Sequence, residues 1–141
     1  MARILFVSNR NSTRAHMAEG FARYYGGDQI EVHSAAIDPA PIHPYAQWAM
    51  NEAGIDISSQ APNPLDRMDL TSFDYVVTLC EKAKERCANL PSSVKVEHWD
   101  VIDPTRARGK PLEVIQAFRL TRNEIERRVK ALLTNIFEGR S

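Results

Sequence analysis

At 141 residues, 43% hydrophobic and 26% charged, the chain has the size and composition of one soluble globular domain, residues 1–141, around a single core. Eighteen basic residues balance eighteen acidic ones, which excludes an overall field suited to nucleic acid or an anionic membrane and leaves any anion specificity to a local site. No apolar run approaches the roughly twenty residues of a membrane span, and Arg3 with its short apolar run leads into a strand pattern rather than a cleavable leader. The expectation is therefore a cytoplasmic protein with no membrane and no nucleic-acid partner, whose two cysteines are reduced or cycling.

Strand-like apolar runs alternate with helical stretches, the pattern of an α/β fold with a parallel sheet and right-handed crossovers. Residues 2–7 predict the first strand, and Thr13 to Tyr25 the first helix, stopped by Gly26 and Gly27. IEVHSA predicts a second strand. Pro39, Pro41 and Pro44 punctuate a loop, with Pro44 in the first turn of the helix YAQWAMNEA, which Gly54 ends. The stretch from Ser58 to Asp69 reads as a loop leading to a short helical turn, FDYVVTL as a buried third strand and VKVEHW as a fourth. VIDPTRARGKP is a loop, and LEVIQAFRLTRNEIERRVKALLTNIF closes the chain as a long helix with apolar residues at helical spacing. A four-stranded sheet flanked by helices follows.

The junction of the first strand and helix carries the chemistry. Ser8 closes the first strand and opens SNRNSTR, a segment able to wrap a tetrahedral oxyanion between Ser8 and Arg14, with Asn9, Arg10, Asn11, Ser12 and Thr13 lining the loop and the helix N-terminus adding positive potential. With cysteine at position 8 the pattern would read C-x5-R, in which a thiolate attacks the central atom and the arginine clamps its oxygens. Sheets of this kind bind ligands beyond the carboxyl ends of their strands, where Cys80 and the loop beginning at Asp100 should join Ser8. Cys80 and Cys87 lie about two helical turns apart, roughly 10 Å, so a bond between them requires the polar EKAKER segment to unwind. Asn11 and Ser12 are expected to shape the loop through side-chain hydrogen bonds. Arg10 adds positive charge, and the four histidines lack ligand spacing. Trp99 lies close enough to the Asp103 loop to wall a pocket.

FVSNRNSTRAHMAEG, VVTLCEKAKERC and VEHWDVIDP together resemble the thioredoxin-coupled arsenate reductases, which share the fold of the low-molecular-weight protein tyrosine phosphatases. The resemblance covers nearly the whole chain and departs from the family at Ser8, where the nucleophilic cysteine belongs. It implies arsenate, phosphate or sulfate in the loop, Arg14 as oxyanion clamp, Asp103 as general acid, Cys80 and Cys87 as the distal relay, thioredoxin as reductant and no cofactor. Thr13 stands where a second loop cysteine is common, so the distal pair is the remaining relay. Some relatives bind potassium beside the loop, and Asn11, Glu19, Ser34 and Asn63 stand where its ligands would come from. Asn63 replaces an acidic residue and Ala61 a hydroxyl one, so no metal is expected.

With Ser8 the chain is expected to be inactive or nearly so, because an alcohol stays neutral where a thiol would ionise. A deliberate Cys→Ser exchange is favoured over natural loss, since Arg14, Asp103, Cys80 and Cys87 are all retained. A tyrosine phosphatase has no use for the distal pair and usually carries tyrosines where Thr105 and Arg106 follow the Asp-Pro; a non-catalytic oxyanion-binding module requires Ser8 to be native. With the normal route to the disulfide blocked, the distal cysteines are expected as thiols flanking an ordered helix.

Overall fold

The structure, a computed structural model, describes residues 1–10, 13–61 and 63–139. Asn11 and Ser12, together with the Arg10 side chain, lie outside what is described, so the loop roles expected of them are not addressed. The chain runs β1 (Ala2–Arg10), α1 (Thr13–Gly26), β2 (Ile30–Asp38), α2 (Pro44–Glu52), β3 (Tyr75–Thr78), α3 (Glu81–Arg86), β4 (Lys95–His98) and α4 (Pro111–Phe137). The four strands form one parallel sheet in the order β2-β1-β3-β4.

Ile4, Leu5, Phe6 and Val7 in β1 are all fully buried, as a strand covered on both faces requires. Alternation sends Ile4 and Phe6 to the core shared with α1, α2 and α4, while Leu5 and Val7 join Val76, Phe73, Ala83 and Cys87 in a smaller core on the opposite face. Phe6 meets Trp99 at a ring separation of 5.7 Å, anchoring the segment that follows β4.

One departure from the sequence pattern matters. β1 was expected to end at residue 7, yet Ser8 and Arg10 remain in register with Ala36 and Asp38, because β2 runs on through a further three residues and supplies partners. Ser8, Asn9 and Arg10 are thus extended rather than looped, and successive N–H groups of an extended chain point to opposite sides rather than at one anion. The stretch after residue 58 forms two 3₁₀ turns, Leu65–Arg67 and Leu70–Ser72. Elsewhere the helix signals hold: Pro44 opens α2 with His43 Nδ1 accepting from the Tyr45 N–H, and α4 starts at Pro111 with Glu113 accepting from the Lys110 N–H.

Glu52 on α2 accepts hydrogen bonds from Arg119 and Arg122 on α4, and these two guanidiniums hold its carboxyl from the usual 4.5 down to about 2. Because the folded-state value is depressed, the stabilisation is complete above the ordinary value and is lost as pH falls toward 2. Glu52→Gln is expected to lower the melting temperature at neutral pH and to flatten its fall over that acid range, so that the two chains converge near pH 2.

Gly20 sits inside α1, where a Cβ would lie 2.8 Å from Ile57 Cγ2 and 3.0 Å from Met50 Cε. Gly20→Ala gains about 1 kcal/mol of helix propensity but meets an overpacking cost of about 1–3 kcal/mol against the buried Ile57. A net destabilisation of about 1 kcal/mol is expected by urea unfolding.

Candidate active site

Hydrogen bonds from the Leu79 N–H to the Val7 carbonyl and from the Trp99 N–H to the Thr78 carbonyl, at 2.9 and 2.8 Å, bring the carboxyl ends of β1, β3 and β4 to one level. A cavity of about 370 Å³ opens there, lined by Asn9, Arg14, Leu79, Cys80, Glu81, Lys82, His98, Asp100, Asp103 and Arg106. A larger cavity of about 530 Å³ lies elsewhere, between α1 and the loop after α2, and its lining holds neither cysteine.

Arg14 enters from the first turn of α1, only 9% exposed. Its Nη1 donates to the Val101 carbonyl at 2.7 Å, and Nη2 stands 3.8 Å from Asp103 Oδ2. That second distance is charge compensation rather than a hydrogen bond, so this edge of the guanidinium keeps donors for another acceptor. Burial pulls the Arg14 pKa down; Asp103, Cys80 and Asp100 oppose the shift, and Arg106 reinforces it.

Asp103 caps the 3₁₀ turn Pro104–Arg106: its Oδ1 accepts from the Thr105 N–H at 3.0 Å and the Thr105 hydroxyl at 2.7 Å. The other oxygen faces Arg14, so the Asp-Pro both starts a turn and presents a carboxyl oxygen to the site. Asp100 lines the same cavity but is exposed.

Cys80 caps α3, its sulfur 3.4 Å from the Ala83 N–H, and is partly exposed on the cavity wall. Cys87 ends the same helix fully buried, and that burial pushes its thiol pKa up. Both are free cysteines flanking an ordered helix.

Ser8 is 1% exposed and is not among the residues lining the cavity; its hydroxyl and that of Thr13 find no hydrogen-bond partner among the described residues. Asn9 does line the cavity. Glu19, Ser34 and Asn63 are drawn together some distance from the thiols, around the larger cavity.

Lys82 and Glu81, which carry no sequence motif, also line the cavity, as does His98, one of the four histidines without ligand spacing. His98 Nδ1 lies 2.9 Å from Thr78 Oγ1 and its Nε2 3.6 Å from Glu81 Oε1. Its place at the last residue of a parallel strand was the available signal, because that end of the sheet is where ligands bind.

The parallel sheet in this order, with these flanking helices, defines a phosphatase-like α/β fold. The chain belongs to the low molecular weight phosphotyrosine protein phosphatase family, whose model matches residues 3–141. It is 44% identical over 127 residues to the arsenate reductase of Bacillus subtilis (strain 168), covering 90% of this chain and 91% of that protein. A solved arsenate reductase in the phosphate binding state superposes with a TM-score of 0.79 at 34% identity, covering 96% of this chain and 99% of that one. A thioredoxin-dependent arsenate reductase of Corynebacterium glutamicum superposes at 0.74 with 26% identity, over 99% of this chain and 64% of that one. Among the described residues no helix is long and apolar enough to cross a membrane.

The unequal burial of the two thiols predicts unequal reactivity. Brief iodoacetamide treatment of the native protein at neutral pH should label Cys80 about tenfold or more faster than Cys87, read by peptide mass spectrometry, with the difference abolished in urea.

Proposed function

We propose that this fold and site reduce arsenate to arsenite in a thioredoxin-coupled cycle when cysteine stands at position 8, and that the Ser8 chain holds an oxyanion without turning it over. The observation that carries the reading is the grouping of Arg14, Asp103 and Cys80 on one cavity, with Cys87 buried at the far end of one short helix. The relatives named arsenate reductases support the same reading. Phosphate and sulfate share arsenate's shape and charge and bind as competitors, and the reaction belongs to the cytoplasm, where thiols stay reduced.

In this cycle the free edge of the Arg14 guanidinium takes the oxyanion and the buried Thr13 hydroxyl becomes a donor to it, joined in the Ser8 chain by the Ser8 hydroxyl. Curling of residues 8–10 out of their extended pairing with β2 completes the cradle. A thiolate at position 8 attacks arsenic(V), and one oxygen leaves as water after taking a proton from Asp103. Cys80 then attacks the sulfur at position 8. The sulfur–arsenic electron pair passes to arsenic, which departs as arsenite, and the two sulfurs are left in a disulfide. Cys87 attacks the Cys80 sulfur, forming the Cys80–Cys87 disulfide and freeing the thiolate at position 8; a thioredoxin dithiol returns the two electrons. The exposed thiol acts before the buried one, and the last exchange needs α3 to open.

Ser8 stops this sequence at its first step. Among the described residues no base lies within hydrogen-bond distance of its hydroxyl, and an alcohol lacks the acidity to ionise unaided. Ser8 therefore reads as an exchanged nucleophile in a site whose other parts are intact. The cavity lining includes no Phe, Tyr or Trp among the described residues, which argues against a phosphotyrosine pocket.

Arsenate-dependent NADPH consumption with thioredoxin and its reductase tests the reading. The Ser8 chain should be inactive, Ser8→Cys should gain on the order of a thousandfold or more, and Ser8→Cys/Cys87→Ser should lose multiple turnover. Hydrolysis of an aryl phosphate by Ser8→Cys without arsenate reduction would replace this reading with a phosphatase.

A further inference from the structure

Some relatives bind potassium beside the oxyanion segment, and the described residues of this chain at that place do not fit one. A cation needs several oxygens with free lone pairs aimed at a common point. Here the Glu19 carboxylate and the Ser34 carbonyl face proton donors. Glu19, on α1 and only 5% exposed, accepts from the Ser34 hydroxyl at 2.5 Å on Oε1 and from Arg23 Nε at 2.8 Å on Oε2, which also forms an ion pair with Nη2 at 2.6 Å. The Ser34 carbonyl, a further oxygen at this point, accepts from Asn63 Nδ2 at 3.0 Å. In the amide orientation that satisfies both its ends, Gln60 adds a donor at 3.3 Å from Glu19 Oε1. Ala61 offers no side-chain oxygen.

We infer that Arg23 supplies from within the chain the positive charge that a bound monovalent cation would bring to Glu19, and so makes the junction of α1 and β2 independent of potassium. The guanidinium is fixed for this purpose, since Nη2 also donates to the Val32 carbonyl at 2.7 Å. Access is not what keeps a cation out, because Glu19, Arg23 and Asn63 all line the open 530 Å³ cavity. Donor chemistry excludes it: the guanidinium brings both the charge and the protons to the carboxylate.

Arg23 is accordingly a positioning residue. Ser34 pairs with Phe6 in the sheet, two residues before Ser8, so the Glu19–Ser34 bond ties the helix that carries Arg14 to the strand beside position 8. The inference rests on this packing and not on the proposed reduction of arsenate, and its test reads stability and phosphate binding rather than turnover.

Thermal unfolding of the full chain would be followed in potassium, sodium and choline chloride at equal ionic strength. The midpoint of the unchanged chain should be the same in all three salts. Arg23→Lys, which keeps the charge, should also be indifferent to potassium. Arg23→Ala/Asn63→Asp, which removes the internal cation and restores a carboxylate, should gain a saturable potassium-specific rise of about 3 °C or more. The phosphate dissociation constant of the unchanged chain should likewise not respond to potassium, while that of the double variant should tighten with it. A saturable, potassium-specific rise in the unchanged chain, or a double variant that folds and ignores potassium, would overturn the inference.

Discussion

Everything at the candidate site is placed by the burial of one strand. β1 lies between β2 and β3 with four consecutive side chains sealed from solvent, and its register with both neighbours decides where each functional group emerges. A slip of one residue would send Ile4 and Phe6 into the thin core and Leu5 and Val7 into the thick one, a mismatch of shape on both faces at once. The sheet resists such a slip, so Cys80 and the Asp103 turn are held against the start of α1 by packing remote from the site.

Within the site, structural and chemical roles fall on the same groups. Asp103 is a turn former by one oxygen and a partner of Arg14 by the other. Cys80 caps α3 through its sulfur while remaining open to the cavity. Arg14 is buried because α1 begins there, and burial leaves its charge poorly solvated, so that an oxyanion arriving at the free edge replaces missing water rather than competing with it. Pre-organisation here comes largely from ordinary capping and packing.

Much of this could be read from residue order. The strand and helix series was legible because apolar runs flanked by Gly and Pro have few other solutions, and Asp103, Cys80 and Arg14 were legible because strand ends in parallel sheets share one level. The length of β1 was not, because polar Ser8, Asn9 and Arg10 give no hydrophobic pattern and the pairing is decided by Ala36 and Asp38 on another strand. His98 was missed for a related reason: a lone histidine has no motif, and its importance depends on Thr78 and Glu81 being brought beside it. The Arg23–Glu19 pair has ordinary i,i+4 spacing, and sequence alone does not reveal that Glu19 is buried.

The sheet also divides the molecule unevenly. α1, α2 and α4 share the larger core, whereas α3, with Ala83 and Cys87, rests on the smaller one. A segment that fluctuates on the thin side exposes little apolar surface and leaves the thick side intact. Ruggedness and thiol accessibility are therefore separable properties: substitutions that tighten the α1–α4 interface can raise the melting point without slowing the opening of α3. Selection, natural or in the laboratory, is free to harden the scaffold and soften the redox segment independently.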